Sequence, residues 1–107
     1  MIENNFDLVT VEKNKDDLNS LSLMVNDLLH GIGPQKIAKR DVEVLIRSFE
    51  NVVKLSGMYN DVVEQAIKDK EVVTSNPQKY ISDNLSNACN LTEIVYNKYK
   101  NLSRFDK

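Results

Sequence analysis

The stretch Val42-Glu43-Val44-Leu45-Ile46-Arg47-Ser48-Phe49-Glu50-Asn51-Val52-Val53-Lys54-Leu55-Ser56-Gly57-Met58-Tyr59-Asn60-Asp61-Val62-Val63-Glu64-Gln65-Ala66 decides the fold. Within it Val42, Leu45, Phe49, Val52, Ser56, Tyr59, Val63 and Ala66 recur at alternating spacings of three and four, the period of one helix face. The register runs through Gly57 without a change of phase. A loop at Ser56-Gly57 would release the second half of the stripe from the first, so the pattern predicts one helix over about 36–72. Gly57 then costs it about 1 kcal/mol relative to alanine. The alternative is a four-helix bundle with a break at Gly57.

Gly31-Ile32-Gly33-Pro34 precedes this helix. A glycine there can take the conformation that ends a helix, and proline suits the first turn of the next one. Upstream, Leu18, Leu21, Val25, Leu28 and Ile32 form a stripe widened by Met24 and Leu29, which predicts a helix over about 16–31. The short turn makes the two helices antiparallel neighbours. Residues 1–11 show no such stripe, and Phe6, Leu8 and Val9-Thr10-Val11 read as an N-terminal arm, either extended or packed across the bundle. Downstream, Ser75 with Gln78 fits a capping box, and Asn76 before Pro77 fits the alternative cap with proline at the first position. Ile81, Leu85, Ala88, Leu91, Ile94, Val95, Tyr99 and Leu102 then mark a third helix over about 77–103, with Thr92 in one apolar slot.

The expected fold is therefore all-α, an antiparallel three-helix bundle with a long central helix, formed as a single domain over 1–107. With 107 residues there is material for one core, and 41% hydrophobic with 28% charged residues is globular rather than disordered composition. A net charge of −2 gives no global field toward nucleic acid or anionic lipid. The sequence has no apolar run near the 20 residues that span a bilayer, and the start Met1-Ile2-Glu3-Asn4 is no secretory signal. One cysteine, Cys89, makes no internal disulfide. These features predict a cytoplasmic protein, in which Asn84-Leu85-Ser86, Asn90-Leu91-Thr92 and Asn101-Leu102-Ser103 are by-products of asparagine abundance rather than glycosylation sites.

No catalytic, cofactor or metal constellation is legible. His30, the single histidine, stands at the end of the first helix, where it reads as a cap. Cys89 beside Ala88 reads as a small packing residue. Gly31-Ile32-Gly33 lacks the third glycine and the lysine that give a phosphate loop its meaning. Lys36, Lys39, Arg40 and Arg47 are candidate nucleic-acid contacts, but Asp41, Glu43 and Glu50 interleave with them, so nucleic acid is disfavoured. Tyr80, Tyr96 and Tyr99 read as a bundle rim with their hydroxyls in water. The chain has no tryptophan, hence no Trp-x-Gly turn, and no tyrosine followed four residues later by an acid, so no resemblance to the secreted helical hairpins of bacterial export systems arises.

The lengths carry the functional expectation. Helices of roughly 30, 55 and 40 Å do not match, and the distal end around 58–90 becomes a two-helix hairpin with apolar surface left over. Met58, Tyr59, Val62, Ile67, Val72 and Val73 are the candidate partner or dimer surface, the alternative being that the N-terminal arm with Phe6 and Leu8 lies there instead. The expectation is a non-enzymatic protein-protein interaction module, an adaptor, inhibitor or chaperone with a protein partner or a homodimer as its target. It takes no small-molecule substrate and no membrane; the alternative is a small DNA-associated regulatory protein.

Overall fold

A computed structural model describes residues 5–105; the first four residues of the expected arm and the last two of the tail lie outside them. Three helices carry the fold: α1 (Leu8–Asn26), α2 (Lys39–Lys68) and α3 (Pro77–Tyr99). They run up, down and up, so consecutive helices are antiparallel and α1 lies parallel to α3. α2 passes through Gly57 unbroken for 30 residues. At 1.5 Å per residue that is about 45 Å, which sets the 49 Å long dimension of the molecule. No described helix is long and apolar enough to cross a membrane.

α1 begins eight residues earlier than the apolar stripe indicates. Asp7 caps it, its Oδ1 accepting from the Thr10 backbone N–H at 2.8 Å and its Oδ2 from the Thr10 hydroxyl at 3.1 Å. Asp7 also exchanges two hydrogen bonds with Gln78, backbone N–H to Oε1 at 2.9 Å and Nε2 to Oδ2 at 2.8 Å. The Gln78 side chain therefore ties α1 to α3 instead of closing a capping box with Ser75. Asn76 caps α3, with Pro77 at its first position. The expected arm is thus corrected: Leu8–Val11 are the first turn of α1, and Phe6 stacks on Tyr59 with ring centroids 6.4 Å apart.

The link between α1 and α2 is tightly wound. After Asn26 the chain continues as a π-helical segment, Asp27–Ile32, which closes on Gly33. Gly33 has φ 97°, open to glycine and strained for other residues. Gly31 is needed for a different reason: a Cβ there would collide with the Asp27, Ser103 and Phe105 side chains folded over it. A short 3₁₀ turn, Pro34–Lys36, leads into α2 at Lys39. At its other end α2 stops at Lys68, four residues before the expected limit. Lys70 takes a left-handed conformation, and Gln65 reaches over to hold the returning strand of chain, its Oε1 accepting from the Val73 and Thr74 backbone at 2.8 and 3.1 Å.

α3 is the hub. Ile81, Leu85, Ala88 and Val95 have no measurable exposure, and Thr92 joins them in the same stripe. Leu21 of α1 and Leu55 of α2 meet in one cluster with Ile81, Leu85 and Ala88; Leu28, Ile32 and Val95 form a second. Ile94 and Leu102, expected in the α3 stripe, are exposed.

Candidate protein-binding face

α1 and α2 each pack along α3, but their backbones hardly approach one another. They are flanks of the same hub rather than the packed neighbours that the short turn suggested. Between them lies an open apolar groove on the side away from α3.

The reason is the rotational setting of α2. The residues it turns to α3 are Asp41, Ser48, Leu55 and Val62, seven apart. The most apolar row in the sequence, containing Val42, Phe49 and Val63, is one residue further on, about 100° around the helix. Those side chains stay exposed, Phe49 by 66%. The expected buried stripe of α2 is corrected accordingly: its Leu45, Val52, Tyr59 and Ala66 are half-buried, while Val42, Phe49, Ser56 and Val63 face solvent.

Two hollows occupy the groove. Toward the Gly33 turn, a space of about 370 Å³ has Val25, Leu28 and Leu29 on one wall and Leu45, Phe49 and Val52 on the other. Toward the opposite end, about 440 Å³ is enclosed by Leu8 and Val11 on α1 and by Tyr59, Val62 and Val63 on α2. The polar floor is closed to ligands. Ser48 Oγ donates to the Ala88 carbonyl at 2.9 Å and lies 2.7 Å from Thr92 Oγ1. Since the serine proton goes to the carbonyl, the threonine hydroxyl supplies the second bond. Among the described residues no buried side-chain polar atom lacks a partner, and the floor of the first hollow presents no unpaired buried polar group.

Of the expected partner surface, Val62 is buried, and Met58 and Tyr59 pack against the core cluster. Val72 is half-buried, while Ile67 and Val73 are exposed. The two-helix hairpin that motivated that surface is corrected: α1 reaches to the level of Val62 and Val63 and supplies the third helix there. Lys36, Lys39, Arg40 and Arg47 are exposed around the start of α2, with Glu43 and Glu50 among them. Asp41 turns inward from that cluster: its Oδ1 accepts from Lys98 Nζ at 2.9 Å and its Oδ2 from the Tyr99 hydroxyl at 2.6 Å. Those bonds, Tyr99 first, hold its carboxyl below the usual carboxylate range. The Tyr99 oxygen in turn accepts the Ala38 backbone N–H at 3.0 Å, satisfying one of the free donors at the start of α2.

The tyrosine rim is corrected at two of its three members, because Tyr96 donates to Asp27 Oδ2 at 2.6 Å and Tyr99 is fixed as described, whereas Tyr80 is exposed. Both hydroxyls are structural ties between helix ends. Cys89 is half-buried between α1 and α3, its thiol donating to the Asp17 carbonyl at 3.5 Å. Burial, then the Asp17 charge, pushes that thiol up, so it is held as the protonated, poorly nucleophilic form. His30 is exposed on the π segment, and no group of three His, Cys, Asp or Glu side chains among the described residues is placed to hold a metal.

Sequence reasoning missed the groove because it assigned the most apolar row of α2 to the core. The available signal was that α2 carries two apolar rows, one too many for a helix with a single neighbour. The chain matches no family model, no curated protein and no solved structure.

Proposed function

We propose that this chain is a non-enzymatic protein-protein interaction module whose working surface is the groove between α1 and α2, which receives a helix from a protein partner. The observation that carries the reading is the row of large apolar side chains left outside a complete core: Ile46, Phe49 and Ile67 are 62%, 66% and 66% exposed. Isolated exposed apolar residues are ordinary, whereas a contiguous row beside an apolar groove marks an association site. The recognition mode it fits is helix-in-groove binding, in which an amphipathic helix lays its apolar face between two others. The inert floor supports a binding role over catalysis, since it presents no group to polarise, deprotonate or attack a substrate.

Two differently tagged copies of the chain, expressed together in the native cell, test this. Wild type is expected to recover a stoichiometric protein, whether a cellular partner or the other tagged copy. Phe49→Asp, which puts a charge on the groove wall without touching the core, is expected to lose it while keeping wild-type helicity by circular dichroism. Equal recovery by both forms overturns the reading.

A further inference from the structure

We infer that the helix received in the groove is α2 of a second copy of this chain, lying antiparallel to the first. The inference rests on the reading of the α1–α2 face as a docking surface and adds the identity of what docks.

The exposed row of α2 is a heptad seam. Val42, Ile46, Phe49, Val53, Ser56, Asn60, Val63 and Ile67 follow one another at spacings of four and three without a lapse, and every one of them is exposed. Spacing of this kind, held over 26 residues of sequence, is what a helix needs to keep one face against another helix. The core of the single chain does not use it, because α3 is met by a different row.

The distribution of bulk along the seam chooses the direction. Ile46, Phe49 and Val53 fill its first half, and Ser56, Gly57 and Asn60 open a gap just beyond its middle. Turned end for end about a two-fold axis near Lys54 and Leu55, Phe49 of each copy falls over the Ser56–Asn60 gap of the other. Val53 then meets Ser56, so the bulky centre of each seam fills the gap of the other, while toward the ends Ile46 meets Val63 and Val42 meets Ile67 in apolar pairs. A parallel alignment would set Phe49 on Phe49 and gap on gap. It would pair Asn60 with Asn60, a known register device of parallel coils, but the empty layer beside that pair makes it the poorer fit. On the outer shoulder Glu43 would meet Glu64 and Lys68 of the second copy together, themselves an ion pair at 3.5 Å, so charge leaves the choice to packing.

Gly57 supports the same arrangement. A Cβ built on it meets nothing within 4 Å inside the single chain, so the chain's own packing makes no demand for glycine at an exposed mid-helix site. A helix crossing close by does. The area is also sufficient. The α2 seam together with Val11, Leu18 and Val25 of α1 and Leu29 of the π-helical segment offers apolar surface comparable to the ~800 Å² that each partner contributes to a stable interface.

Sedimentation of the full chain across the micromolar range tests the proposal. The expected species at high micromolar concentration has twice the 12.2 kDa chain mass, and both Phe49→Asp and Ile46→Lys raise the dimer dissociation constant roughly thirtyfold or more. In a Cys89→Ser background, V42C and I67C chains mixed and oxidised should cross-link to each other, and I67C alone should not. A monomer at high concentration overturns the proposal. If Phe49→Asp still abolishes capture of another cellular protein in that case, the groove remains a docking site and only the second copy falls as its occupant. A dimer unaffected by either charge substitution overturns the chosen face, and an I67C homodimer overturns the antiparallel direction.

Discussion

The two faces of α2 differ in the opposite sense to the one that hydrophobicity alone dictates. Toward α3 the helix shows Asp41, Ser48, Leu55 and Val62, half of them polar; on the groove wall and the exposed shoulder beside it stand Val42, Ile46, Phe49, Val53, Val63 and Ile67. The buried polar groups are tolerated because each is satisfied: Asp41 by Lys98 and Tyr99, Ser48 by Ala88 and Thr92. A buried row with two hydrogen-bonded anchors fixes the register of α2 on α3, since sliding by one residue would strand a carboxylate and a hydroxyl. The apolar row carries no such commitments within the chain, which is what leaves it open to the proposed association.

Replacing a hub residue should give the largest effect, and it sharpens the contrast from the buried side. Leu85, fully enclosed between α1 and α2, is expected to cost about 2–5 kcal/mol as Leu85→Ala. Urea denaturation would read this as a lower midpoint with an unchanged slope. A loss below about 1 kcal/mol would mean that α3 is not the hub.

Acid comes next, acting on the polar anchor of the same face. Asp41 has a folded pKa held below its unfolded value, so the unfolded chain takes up the proton first as pH falls. Its contribution is therefore complete above the usual carboxylate range and is lost as pH drops from about 5 through the folded value. Asp7, lowered chiefly by the Thr10 backbone N–H, adds to the same limb. Urea midpoints measured between neutral pH and pH 3 should fall along this limb, and Asp41→Asn should make the fall shallower. An Asp41→Asn profile parallel to wild type would remove Asp41 from the account.

The contrast between faces also explains what could be read from the sequence. The three helices, the continuity through Gly57, the Gly33-Pro34 turn and the Asn76-Pro77 start all rest on local signals that packing does not override. The first two turns of α1 were illegible because Val9, Thr10 and Val11 favour extended chain and because the buried slot one heptad before Leu21 holds Asn14. That asparagine is paired with Ser82 at 3.1 Å, so a polar residue stands where the stripe needed an apolar one. The end of α2 lacked a glycine, since Lys70 takes the left-handed conformation itself. The phase of α2 was misread for a deeper reason. Periodicity finds the most apolar row and cannot tell whether that row meets its own chain or another.

Gly57 brings the comparison down to a single residue, with a small effect whose sign depends on the state measured. In the isolated chain it is exposed, mid-helix and unconstrained, so Gly57→Ala should stabilise folding by about 0.5–1 kcal/mol through helix propensity and a less flexible unfolded state. Association would mask this gain, because a ligand or second copy bound only to the folded form adds its own concentration-dependent stability. The measurement therefore belongs in the Phe49→Asp background, where thermal unfolding reports the single chain. There the alanine variant should melt a few degrees higher, as about 1 kcal/mol does in a domain of this size. In the wild-type background the added methyl stands on the shoulder of the seam, and dimerisation should weaken. A variant that is less stable in the Phe49→Asp chain would show that α2 itself requires the glycine, and would remove it from the case for a second helix.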